Sequence, residues 1–376
     1  MAKTARLDVK AQDILGTLQG FFRSVLESGD MKAILAPLRL QMKNTVMPVL
    51  VSDPERLKDA DPLAPAFPMN TAKVVSRLTH KPAGGKTAAV LRPCEIRAFV
   101  ELVKLKQGKT DEIVIIGADC PGAYGNRDYL RFVAENGTES TMKFYRDSLS
   151  GKDREELSSA CKSCEFPIPE GADLLIGLLG LDTEKQLMIQ ALTRKGEELL
   201  GKLDLPEIEE PPGRKAAVES LIARRKAYRD KMFAETAQAV DSIGKLSAYL
   251  ADCVNCYNCR VACPVCYCKE CVFVTDVFDH DPSQYLKWAE RKGAVKMPTD
   301  TLFYHITRLA HMSTACVGCG QCSNACPNDI RLAELFRTVA YRTQKAFDYQ
   351  AGRSLEEAPP LSVFREAEFA EVVGIK

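Results

Sequence analysis

Apolar residues recur along the chain at two periods. Over residues 7–28, Leu7, Ile14, Leu15, Leu18, Phe21, Phe22 and Leu26 fall at helical spacing and predict an amphipathic helix. From about 70 to 205 short apolar runs alternate with helical patterns: AAVL at 88–91, IVII within 112–120, LLIGLL within 165–180 and LMIQAL at 187–192 read as strands. Between them, Ile96, Phe99, Val100 and Val103 mark a helix after the turn RPC, and KDREELSSA, 152–160, reads as another. Such alternation predicts an α/β core.

Residues 204–213, DLPEIEEPPG, form a proline-punctuated linker. Beyond it, a charged, Ala-rich helix runs from Arg214 to Leu250, and its ARRKAYRDK run reads as a solvated face. Two further helices are predicted, TDTLFYHITRLAHM and ELFRTVAYRTQKAF. The expected divisions are 1–35, an N-terminal helix; 36–205, the α/β domain; 206–250, linker and long helix; 251–345, an all-α domain; and 346–376, an extended tail.

Two cysteine runs decide the chemistry. CVNCYNCRVACP, residues 253–264, and CVGCGQCSNACP, 316–327, both follow CxxCxxCxxxCP, the ligand spacing of a ferredoxin site. Three thiolates two residues apart wrap one cubane, and the fourth reaches the cluster of the other run. Cys253, Cys256, Cys259 and Cys326 are therefore expected to hold one 4Fe-4S cluster, and Cys316, Cys319, Cys322 and Cys263 a second. Zinc also takes paired CxxC motifs, but it gives no reason for two quartets ending in CysPro. The gap of about fifty residues between the runs suits a helical ferredoxin.

Of fifteen cysteines, seven remain. Cys94 and Cys120 each follow a predicted strand, where open α/β sheets build their sites, and Cys161 and Cys164 form a CxxC. Four is the number another cubane needs. Cys94 opens a helix, whose positive end favours a thiolate. Cys266, Cys268 and Cys271 are surplus, either ligands completed from elsewhere or buried thiols.

GGKT at 84–87 lacks the glycine of a P-loop where His80 stands, and no GxGxxG follows a strand, so neither nucleotide motif is supported. The four histidines show no metal spacing and are given no chemistry. A net charge of +1 offers no field for nucleic acid. Cysteine-rich composition with no secretory leader points to the reducing cytoplasm, and the longest apolar run, Leu174 to Leu181, is too short to enter a membrane directly.

The segments LRPCEIRAFVEL, IVIIGADCPGAYGN and CKSCEFPIPEGADLLIGLLG resemble the beta subunit family of coenzyme F-420 hydrogenases and dehydrogenases, which includes formate dehydrogenase beta subunits. The resemblance implies an α/β flavin- and cluster-binding domain followed by an all-α ferredoxin domain. It implies FAD and a third 4Fe-4S cluster on Cys94, Cys120, Cys161 and Cys164. Lys81, Gly84, Gly85, Lys86, Arg92, Asn126 and Arg127 become candidates for holding the flavin. The expected function is hydride exchange with a soluble carrier at FAD and relay of single electrons to a catalytic partner: a formate dehydrogenase, a hydrogenase or a heterodisulfide-reductase-like complex. The alternatives are a flavin-free relay bridging two enzymes and a zinc-stabilised scaffold.

Overall fold

The structure, a computed structural model, describes residues 3–40, 44–81, 84–149, 151 and 154–363. The expected tail therefore lies outside the described residues from 364 onward.

Strand β1 (Thr4–Asp8) leads to α1 (Ile14–Glu27), which starts where the Asp13 carboxylate accepts the Gly16 N–H at 2.8 Å. Leu7, predicted as helix, instead pairs with Leu187 in the sheet. β2 (Met31–Leu40) and β3 (Thr45–Val51) make a hairpin in which Pro37 lies opposite Pro48, with β3 on the sheet edge. There follow α2 (Ala72–Leu78), β4 (Lys86–Leu91), α3 (Pro93–Lys104) and β5 (Ile113–Ala118). Pro93 presets the first turn of α3, and the Glu95 carboxylate accepts the N–H groups of Arg92 at 2.9 Å and Thr71 at 2.8 Å.

Next come α4 (Asn126–Asn136), α5 (Ser140–Leu149), α6 (Ser159–Lys162), β6 (Leu174–Gly177), β7 (Gln186–Ala191) and α7 (Arg194–Leu200). Of the helix predicted over 152–160, residues 152 and 153 lie outside the described residues and the rest is reduced to the start of α6, because Leu157 bridges back to Tyr124 in extended form and Ser158 caps the turn beyond it. The C-terminal half is helical: α8 (Gly213–Ala239), α9 (Ile243–Tyr249), α10 (Asn258–Ala262), α11 (Pro282–Lys292), α12 (Thr301–Met312), α13 (Gln321–Asn324) and α14 (Leu332–Ala346). Among the described residues no helix is long and apolar enough to cross a membrane.

The described strands form one mixed sheet in the order β1-β7-β6-β5-β4-β2-β3. β2, β4, β5 and β6 are parallel, so β4 and β5 end on the same side. Both faces are covered, which explains the unbroken apolar runs. Ala88, Val90, Val114 and Ile116 pack towards α1, whereas Ala89, Leu91, Ile113 and Ile115 share a core with α3 and with Tyr304, Leu335 and Phe336 of the helical half. The cysteine-bearing helices are thus seated on the sheet through a common apolar core.

Candidate metal centres and the adjoining cleft

The carboxyl ends of β4 and β5 gather the first cysteines. Cys94 is the second residue of α3, and Cys120 lies two residues beyond β5, its N–H donating to Pro167 O at 2.8 Å. Cys161 lies on α6, where its Sγ accepts the Ala123 N–H at 3.3 Å, and the Cys164 N–H donates to Cys161 O at 3.2 Å. The four thiols stand within electrostatic reach: Cys94 feels Cys120 and Cys164, and Cys120 feels Cys161 and Cys164. Without a metal cation beside it, the Cys94 thiol at the start of α3 is held protonated. Burial and then the adjacent Glu95 carboxylate push its pKa well above the ordinary thiol value, outweighing the dipole of the first turn. Burial likewise takes Cys120 up to about 11, against the pull of Arg92 and Arg225.

Beside Cys120 opens a cleft of about 50 Å³, walled by Met47, Leu63, Phe67, Met69, Leu91 and Gly122, with Arg92 at its rim. Arg92 is fixed there by donating to Ala64 O at 2.8 Å and by lying 4.9 Å over the Phe67 ring. Of the seven predicted flavin contacts only Arg92 lines this cleft. Lys86 begins β4, roughly 20 Å from Arg92 at a strand rise of about 3.3 Å per residue, and Lys81, Gly84 and Gly85 precede it. Asn126 and Arg127 face the helical half instead: the Asn126 N–H donates to Asn324 Oδ1 at 2.8 Å, and Arg127 pairs with Asp329 at 2.5 Å.

The two ferredoxin-type runs fold alike. Asn255 and Tyr257 in one, and Gly318 and Gly320 in the other, all take positive φ at equivalent places. Each bend turns backbone N–H groups inward. The Cys253 thiol accepts from Asn255, that of Cys316 from Gly318, and that of Cys319 from Gln321. Cys253, Cys256, Cys259 and Cys326 line one cavity of about 320 Å³. Cys316, Cys319 and Cys322 all feel Cys263. Cys326 thus stands beside the first run and Cys263 beside the second. Cys94 also feels Cys319, so the three sets stand in a row leading away from the cleft.

The surplus cysteines lie beside this row: Cys266 feels Cys263 and Cys268, and Cys271 lies near Tyr257. Among the described residues no three His, Cys, Asp or Glu side chains are arranged to hold a single metal ion. A cubane is gripped at its corners, so its thiols stand farther apart than the roughly 3.8 Å set by a tetrahedral ion with 2.3 Å bonds.

The surroundings fit an anionic cluster. Buried arginines flank the thiols, where an unpaired cation would be costly. Arg225 donates to Cys120 O at 3.2 Å and Pro121 O at 2.8 Å, Arg308 Nη1 donates to Cys259 Sγ at 3.0 Å, and the Arg337 side chain crowds Gly318. His305, wholly buried, puts Nε2 3.3 Å from Cys253 Sγ, and its Nδ1 has no partner among the described residues. Burial raises the Cys316, Cys319 and Cys322 thiols, which ionise only against a cation such as iron.

Sequence reasoning passed over these basic residues. Arg225 and Arg229, taken as solvated, are buried, Arg229 against Glu165 at 3.2 Å. His305, given no chemistry, touches a cysteine. The available signal was spacing: Tyr304 and Arg308, like Arg225 and Arg229, are four apart and share a helix face.

The 4Fe-4S dicluster domain family matches residues 249–330. The F420-dependent formate dehydrogenase subunit beta of Methanocaldococcus jannaschii is 26% identical, over 92% of this chain and 93% of that protein. The F420-dependent formate dehydrogenase 1 subunit beta of Methanococcus maripaludis is 25% identical, over 92% of each. A chain of the F420-reducing NiFe hydrogenase complex from Methanosarcina barkeri superposes with a TM-score of 0.45 at 13% identity, covering 64% of this chain and 94% of that one, too slight a likeness to bear on the fold. The chain is an oxidoreductase subunit with a C-terminal 4Fe-4S dicluster domain, similar over nearly its whole length to the beta subunits of F420-dependent formate dehydrogenases.

Proposed function

We propose that this chain carries electrons between a flavin and the catalytic subunit of a formate dehydrogenase or hydrogenase, with a deazaflavin of the F420 type as its soluble hydride carrier. The row of thiols that starts at the cleft beside Cys120 and ends at Cys256 carries this reading. FAD in the cleft would supply the conversion between hydride and single electrons, and 4Fe-4S clusters take electrons one at a time.

The chain's own residues do the rest. Apolar walls and the Phe67 ring suit a flat heterocycle, and Arg92 supplies a fixed cation at its rim. Cys94, Cys120, Cys161 and Cys164 would hold the proximal cluster. Cys263, Cys316, Cys319 and Cys322 would hold the next, and Cys253, Cys256, Cys259 and Cys326 the last. Cys256 is exposed, which brings the last set to the surface where a partner can approach. No acid–base pair would be required of the chain, because a bound flavin would supply the hydride chemistry itself.

The test is anaerobic mixing of the isolated subunit with reduced F420, following carrier oxidation by absorbance and cluster reduction by EPR. Reduction of the clusters by the carrier supports the reading. Clusters that respond to dithionite but not to the carrier, in protein without flavin, support the bare relay.

A further inference from the structure

Helix α12 runs between the two cysteine runs and buries a guanidinium among their thiols. Arg308 is 4% exposed. Its Nη1 donates to Cys259 Sγ at 3.0 Å and its Nη2 to Cys259 O at 3.2 Å. Cys259 belongs to the first set, yet the same charge also reaches Cys263 and Cys322 of the second. The rings of Phe336, at 4.7 Å from the guanidinium carbon, and Tyr304, at 5.5 Å, hold it in place. Its Nε has no hydrogen-bond partner, and no carboxylate among the described residues pairs with it. A permanently charged group buried without a carboxylate beside it needs another source of negative charge. The two flanking sets of thiolates are the source within reach.

We propose that Arg308 is a cation shared by the two clusters of the C-terminal domain, setting the reduction potential of both and easing electron passage between them. This rests on the proposed two-cluster reading. Adding an electron at either site makes the local charge one unit more negative, and a fixed guanidinium between the sites offsets that at each. Hydrogen bonds and charge at cluster sulfurs are established levers on potential. Arg308 binds Cys259 directly and reaches the second set only through space, so the first cluster depends on it more. Arg308 is a positioning residue: it acts through the cysteine sulfurs.

The test is potentiometric EPR titration of the anaerobic full chain, wild type beside Arg308→Gln and Arg308→Lys, each with its iron counted. In Arg308→Gln both cluster signals should move to lower potential. The reduced-to-oxidised ratio of the first should fall at least tenfold at a fixed poise, which is 59 mV for one electron. Arg308→Lys keeps the charge without the two-pronged bond to Cys259, so the second signal should return towards wild type while the first stays low. If Arg308→Gln fails to assemble its iron, the Lys variant decides alone. Wild-type potentials at both clusters in either iron-replete variant would overturn the proposal. A wild-type chain without two such signals sinks the two-cluster reading first, an outcome distinct from two signals that ignore the substitution.

Discussion

A β-carbon on Gly320 would lie 2.5 Å from the β-carbon of Ala160, so the second cysteine loop meets helix α6 through a glycine. Ala160 adjoins Cys161, and Gly320 sits between Cys319 and Cys322, which places two cysteine sets side by side. The equivalent residue of the first loop is Tyr257, also at positive φ. Its ring packs 5.0 Å from that of Tyr304.

Gly320→Ala should therefore harm the protein in two ways. Positive φ costs an L-residue about 1–2 kcal/mol, and the overlap with Ala160 forces the loop away from α6. We expect a loss of about 2 kcal/mol or more in anaerobic denaturant unfolding. Slower electron passage from the proximal to the second cluster should accompany it. A variant as stable and as fast as wild type would show that the close approach is unimportant.

Crossed ligation makes a selective prediction. Cys263 follows the first run in sequence but stands with Cys316, Cys319 and Cys322, whereas Cys326 shares the cavity of Cys253 and Cys259. Cys263→Ser should remove or alter the EPR signal of the second cluster and spare the first, and Cys326→Ser should do the reverse. The opposite pattern would mean that each run serves its own cluster.

Asp119, at the end of β5, takes a buried Arg214 guanidinium in a two-pronged pair, with Nη2 2.9 Å from Oδ1, and also accepts the N–H groups of Leu178 and Leu179. This pair ties α8 to the sheet next to Cys120. Asp119→Ala leaves the buried Arg214 with only the more distant Glu210, 3.7 Å from its Nε, and should cost about 3 kcal/mol in chemical unfolding. Asp119→Asn, which can still accept the backbone groups, should cost less. Equal, small losses in both would place the stability elsewhere.

Arg92 stands at the mouth of the cleft, and its charge should favour an anionic or electron-rich ligand. Arg92→Gln should lower flavin retention about tenfold, equivalent to about 1.4 kcal/mol, when flavin is counted after gel filtration. Lys81→Gln and Lys86→Gln, at the far end of β4, should leave it unchanged. Flavin loss only in the lysine variants would move the site away from this cleft.

The cysteine chemistry was legible because its spacing is local, and strands β4 to β7 because both faces of their sheet are buried. β1 to β3 were less so. Pro37 and Pro48 break the usual strand pattern and are tolerated because Pro48 lies on the edge strand and Pro37 beyond Leu35, the last β2 residue paired with β4. The flavin candidates Lys81, Gly84, Gly85 and Lys86 follow flexible glycines and lysines rather than strand direction, and they stand at the end of β4 opposite Arg92. The buried arginines and His305 were illegible for a different reason. A charged residue on a helix reads as solvated unless its partner is known, and here the partners, thiols for Arg308 and His305, carbonyls for Arg225 and Glu165 for Arg229, are brought together only by the fold.

The most direct test is the cofactor content of the full chain purified without oxygen, with iron, zinc and flavin each counted per polypeptide. Three cubanes and one flavin require about twelve irons, about one FAD and no zinc. About eight irons with no flavin would contradict the route from cleft to partner, and a colourless zinc protein would contradict electron transfer altogether.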